Sequence, residues 1–177
     1  MTENLLYKFN SLAEIYTLNE DTFNVGILVS ESDNYAIYIS IDEEGKKDGL
    51  FFIRKDYISD LCYETEYLRK IECYMNYWLK KESSCQQHTY TSLHSAIELA
   101  TSENKIISVI CSSDLNNIIT GYVSQVSTSH ICIQSIDIDS AALSEEDPEN
   151  IAVKDIIFFE IDSVDNLLLD YACKILY

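Results

Sequence analysis

Glycine is scarce in this chain, four in 177 residues, and the scarcity removes whole classes of chemistry. Loops of the G-x-x-x-x-G-K and G-x-G-x-x-G kinds need several glycines where backbone closes on a phosphate, and neither pattern occurs. The G-x-S-x-G nucleophile elbow is missing as well. Histidine is scarcer still, at three. His88 and His94 stand six apart with Cys85 upstream, and His130 opens an apolar run. No second close Cys or His pair completes a tetrahedral zinc set, and no pairing supplies a cysteine with an activating base. The expectation is no catalytic residue, no metal and no cofactor.

Positive charge is also short. Twelve Lys and Arg face 30 Asp and Glu, a formal charge of −18, and residues 1–104 and 105–177 carry −9 each. A polyanion meets repulsion over most of such a surface, so nucleic acid and anionic membranes are poor partners and a basic protein is favoured. No stretch approaches the roughly 18 continuous apolar residues of a membrane span. The opening "MTENLLYKFNSLAEIYTLNE" lacks the basic and apolar parts of a secretory signal, which makes cytoplasmic the expected location. Six cysteines (Cys62, Cys73, Cys85, Cys111, Cys132, Cys173) lie scattered through apolar runs. Without an export signal they are expected to be reduced and to pack as small hydrophobes. The acidic loops "DEEGKKDG" and "DIDSAALSEED" do not keep the ligand spacing of a calcium loop.

What the chain does have is apolar and aromatic material, 47% and 11% of its residues, with 13 tyrosines. It is arranged as short β-branched and aromatic runs: "EIYTL", "FNVGILVS", "YAIYISI", "LFFIR" and "YISDLCY", then "KIISVICSS", "NIITGYVSQV", "HICIQSI", "NIAVK" and "IIFFEI". Polar breaks separate them, so each reads as a strand. A shift of 95 places Gly26 on Gly121 and Ser40-Ile41-Asp42 on Ser135-Ile136-Asp137. A shift of 100 places Ile53, Arg54 and Leu61 on Val153, Lys154 and Ile161, which implies a five-residue insertion in the second acidic loop. Helical spacing appears after Thr65, where Leu68, Ile71, Met75 and Trp78 share a face. It appears again in Leu93, Ala96, Ile97 and Ala100, and in Val164, Leu167, Leu168, Tyr171 and Ile175. The expected organisation is a first unit over 1–82, a linker over 83–90 and a second unit over 91–177.

Within the repeat, Ile53-Arg54-Lys55 followed by Ile58 and Leu61 fits the spacing of the second motif of Sm-like proteins, with Lys55 where that motif has glycine. Val153-Lys154-Asp155, Phe158 and Ile161 fit it more loosely. The chain thus resembles a tandem member of the Sm-like family, similar to uncharacterised bacterial proteins of that kind. The resemblance implies a mainly β fold with helices (α+β): two small five-stranded bent barrels in tandem, each followed by an amphipathic helix. The family's RNA-binding Asp-x-x-Met-Asn-like signature is absent; "SESDNY" and "VSTSHI" stand there. Candidate binding residues are Arg54, Lys55 and Lys154 at the hairpin turns, and Tyr67, Tyr74, Tyr77 and Trp78 on the helix after the first unit. The expected function is non-catalytic binding of another protein, of the kind that neutralises a basic effector or toxin. The alternative is an Sm-like RNA-binding protein that assembles into homo-oligomers through barrel edges.

Overall fold

The computed structural model describes residues 7–18, 22–79 and 92–177. The first half contains β1 (Leu12–Thr17), β2 (Phe23–Glu31), β3 (Tyr35–Ile41), β4 (Lys47–Arg54), β5 (Ile58–Cys62) and the helix α1 (Glu66–Leu79). The second contains α2 (Leu93–Ser102), β6 (Ile106–Cys111), β7 (Asp114–Val126), β8 (His130–Asp137), β9 (Ala142–Leu143), β10 (Glu149–Ala152), β11 (Ile156–Ile161) and α3 (Val164–Leu176). Each apolar run of the sequence becomes a strand, because β-branched and aromatic side chains fit a pleated, half-buried surface. The 83–90 linker, with Cys85 and His88, lies outside the described residues. No described helix is long and apolar enough to cross a membrane.

The two separate five-stranded barrels expected from the sequence do not form. Ten strands run edge to edge in one open antiparallel sheet, ordered β10-β8-β7-β6-β11-β4-β3-β2-β1-β5, with β9 paired on β8. The join is β4 with β11, in the register Ile53↔Phe158, Phe52↔Phe159, Phe51↔Glu160 and Leu50↔Ile161. The cause is the apolar content of these two strands on both faces. Phe52 meets Phe159 edge-on at 5.4 Å between ring centroids, and on the other face Phe51 stacks between Tyr38 and Phe158 at 5.2 and 5.6 Å. Two of the three cores therefore run across the join: Tyr35, Ile37 and Phe52 pack with Val109, Phe159 and the buried face of α2, and Phe158 packs on the Phe51 and Ile53 cluster. The third core holds α1 through Leu68 and Ile71 against Leu12, Ile39 and Ile41.

Within that sheet the two halves share one strand order and one register. β2 and β3 pair as Gly26↔Ser40 and Leu28↔Tyr38 with a bulge between Leu28 and Ser30, and β7 and β8 pair as Gly121↔Ser135 and Val123↔Ile133 with a bulge between Val123 and Gln125. Tyr35↔Arg54 corresponds to His130↔Ala152, and Glu14↔Cys62 to Ser108↔Glu160. A 3-10 turn follows β4 at Lys55–Tyr57 and β10 at Val153–Asp155. Past the acidic loops the true offset is therefore 98 and the insertion is three residues. The five-residue insertion read from the sequence is corrected by two, so Arg54 corresponds to Ala152 and Lys154 to Asp56.

Gly26 and Gly121 sit where β2 and β7 press closest to their neighbours. A Cβ on Gly26 would stand 2.9 Å from the Ile39 carbonyl oxygen, and one on Gly121 would overlap the Gln134 backbone outright. Backbone cannot rotate aside as a side chain can, so overpacking here must shift the strand pair. Gly121→Ala is expected to lower stability by about 1–3 kcal/mol, and Gly26→Ala by less, in urea unfolding. An unchanged midpoint for Gly121→Ala would show that this strand pair yields freely.

Candidate protein-binding surface

The sequence-derived basic residues gather at the end of the seam between the halves, but two of the three are already engaged. Arg54 Nε lies 2.7 Å from Asp56 Oδ1, its Nη1 donates to the Lys154 carbonyl at 2.9 Å, and its guanidinium covers the Tyr57 ring. Partial burial disfavours the charge, yet the Asp56 hydrogen bond and carboxylate outweigh it and hold the guanidinium above its ordinary pKa. Lys55 pairs with Glu31 at 2.7 Å and lies over the Tyr7 ring. Tyr35 adds a second tie across the halves, its hydroxyl donating to the Ile156 carbonyl at 2.7 Å. Arg54 and Lys55 thus clasp the fold. Lys154 is exposed and makes no ion pair among the described residues. Together Asn34, Arg54, Asp56, His130 and Lys154 line an open groove of about 800 Å³.

The aromatic residues of α1 divide in two. Tyr67 is half-buried, edge-on to Phe23 at 5.3 Å, with Lys70 over its ring. Trp78 donates its indole N–H to the Glu44 carbonyl at 2.9 Å and carries Lys46 over its face. Both fasten α1 to the first half of the sheet. Tyr74 and Tyr77 are exposed. The acidic loops have a structural task of their own: Asp42 Oδ1 accepts the backbone N–H groups of Glu44 and Lys46, and Asp137 Oδ1 that of Asp139, so each loop is closed by its first carboxylate. Among the described residues no three His, Cys, Asp or Glu side chains are placed to hold a metal ion. The five described cysteines are free thiols, and only Cys111 is buried.

α3 carries its apolar residues in an unusual direction. Amphipathic helices generally turn such a stripe, here Val164, Leu167, Leu168, Tyr171 and Ile175, towards the core. Instead Leu167 is 53% exposed, Leu168 61%, Tyr171 66% and Ile175 65%. The face turned to the sheet is partly polar. Asn166 is buried with its Oδ1 accepting from Ser108 Oγ at 3.0 Å, and Tyr122 donates to Asp170 at 2.8 Å. Cys173 reaches the Ala141 carbonyl, which sets the 137–141 turn beside the helix, and Ile138 on that turn is exposed too.

α1 supplies an internal control. Glu64 and Asp162 both have positive φ, 60° and 62°, and the hydroxyls of Thr65 and Ser163 then cap their helices by accepting from Leu68 N and Asn166 N. By this correspondence Leu68 matches Asn166, both buried, while the exposed Arg69 and Lys70 match Leu167 and Leu168. The same outward position is charged in one half and apolar in the other. Aligning the two helices by their caps, rather than by apolar spacing, is the sequence signal that separates them.

No protein-family model, curated protein or solved structure matches the chain.

Proposed function

We infer that this chain is a non-catalytic protein-binding module that takes a basic partner, in the manner of a protein neutralising a basic effector or toxin. The observation that carries the reading is the outward apolar face of α3 on a chain of −18. A contiguous exposed apolar surface rimmed by polar groups marks an interaction site more often than it marks plain surface, and excess negative charge speeds encounter with a cation-rich protein. The shared register of the halves supports an internal duplication, and the resemblance to Sm-like proteins is proposed at the level of that repeated unit alone.

A second reading, Sm-like RNA binding, is favoured by one observation, the groove that brings Arg54, Lys154 and His130 together. Pairing of Arg54 with Asp56 and of Lys55 with Glu31 weakens it, since paired cations release fewer counterions on binding phosphate. One experiment separates the two: the tagged chain is isolated from its own cells at low salt and both protein and nucleic acid are inventoried. A stoichiometric basic protein released by raising the salt is the expected result. Recovery of abundant RNA, lost on Lys154→Glu, with no such protein, would reverse the order of the readings.

A further inference from the structure

We propose that the α3 face is a docking surface for an amphipathic helix with an apolar side and a Lys/Arg rim. This rests on the protein-binding reading above and specifies its site and the chemistry of its partner. Leu167, Leu168, Tyr171 and Ile175 recur at steps of one, three and four along α3, so they form one stripe along the helix, the shape that complements a second helix. The repeat shows that apolar side chains at Leu167 and Leu168 are not required by the fold, because their counterparts on α1, Arg69 and Lys70, are charged and equally outward, while Tyr171 and Ile175 correspond to the exposed Cys73 and Tyr77.

Charge decides among the occupants. Between Lys105 and Lys154 the chain has no Lys or Arg and seven acids: Asp114, Asp137, Asp139, Glu145, Glu146, Asp147 and Glu149. Asp137 and Asp139 belong to the turn held against α3 through Cys173, Asp165 lies exposed on α3 itself, and the one cation of that helix, Lys174, is paired with Asp170. A second copy laid on this face would bring like charges together across the rim. A partner with lysines or arginines flanking its apolar residues meets opposite charge there, and its aliphatic stems cover the margins of the stripe.

The test uses the full chain and a fluorescent helical peptide with leucines on one face and lysines on the other. A scrambled isomer of the same composition serves as control. Binding is read by anisotropy at low and high salt, for the wild type and for Leu167→Gln/Leu168→Gln. That double variant changes no charge and places polar residues where α1 already has them. The expected result is binding of the patterned peptide, little binding of the scrambled one, and a loss of about tenfold or more in affinity for the double variant. Equal affinity for the variant overturns the proposal, as does equal binding of the two peptides. A wild-type dimer in light scattering that the variant dissolves would assign the face to a second copy. Binding to phosphatidylcholine vesicles that the variant abolishes would assign it to lipid. Either result also overturns the proposal. If the partner recovered from cells at low salt is retained equally by the variant, the protein-binding reading stands and only this site fails.

Discussion

Phe159→Ala is expected to destabilise both halves of the molecule together, by about 3–5 kcal/mol. Phe159 is fully buried on β11, where it pairs with Phe52 of β4 on one side and Val109 of β6 on the other. Its ring packs edge-on to Phe52, and the core around it draws Tyr35 and Ile37 from the first half and Ile97 and Ala100 from α2. Truncation removes the transfer free energy of the ring and leaves a void that three elements border, which cannot all close on it. Had the chain formed two independent barrels, the loss would fall on the second alone. With one sheet and cores shared across the β4–β11 join, unfolding is expected to be a single transition. Urea titration read by Trp78 fluorescence reports the first half, and hydrogen exchange of β6–β8 amides reports the second. Coincident midpoints that shift together are expected. Two midpoints, of which only the second moves, would show the halves to be energetically separate.

The elements of this sheet are legible in the sequence because a strand's period and composition report which faces it buries. Every strand read from an apolar run is present, and so is the Gly26 and Gly121 correspondence, which backbone crowding enforces at both places. Edges are not legible in the same way. Whether β4 closes within its own half or pairs with β11 depends on the match between Leu50–Ile53 and Phe158–Ile161, partners 105 to 111 positions apart, and periodicity carries no term for that. The slip of two residues in the second part of the repeat has a similar origin. Matching Ile53-Arg54 to Val153-Lys154 follows residue type, whereas the turn is fixed by hydrogen bonds: Lys55 N donates to the Asn34 carbonyl, and Val153 N to that of Ser129. Side chains near a turn can drift during divergence while those bonds hold the backbone register. At the candidate surface, spacing found the apolar stripe of α3 but not its direction, because an outward face built for a partner and an inward face built for a core have one period. The basic pair at Arg54 and Lys55 was found too; what spacing omits is Asp56 and Glu31, which engage both charges within the fold.

The remaining large effect expected is one of pH, and it originates at the base of the proposed docking helix. In both halves a carboxylate at the paired position between the first and last strands holds the hydroxyl that caps the following helix. Glu14 on β1 accepts from Thr65 at 2.5 Å, and Glu160 on β11 accepts from Ser163 at 3.2 Å. The acid has changed strands, since Glu14↔Cys62 corresponds to Ser108↔Glu160. Glu160 is pushed from its ordinary value of 4.5 up to about 7: burial raises it most, the Ser163 hydrogen bond opposes this, and the nearby Asp48 and Asp165 carboxylates add to the rise. A carboxyl whose pKa is higher folded than unfolded binds its proton more tightly in the folded state. Its contribution is complete below about pH 4.5 and is lost as pH rises to about 7, so this group makes the protein less stable at pH 8 than at pH 5. The separation corresponds to about 3 kcal/mol. Glu160→Gln isolates the contribution, because the amide stays neutral and its carbonyl still accepts from Ser163. Urea unfolding at pH 5 and pH 8 is expected to show a stability difference between the two pH values that shrinks by about that amount in Glu160→Gln. The same pH dependence in both proteins would mean that Glu160 is solvated in the folded chain. The loss at high pH comes from burying the charge and not from the cap, since Ser163 donates to the ionised carboxylate as well as to the neutral acid.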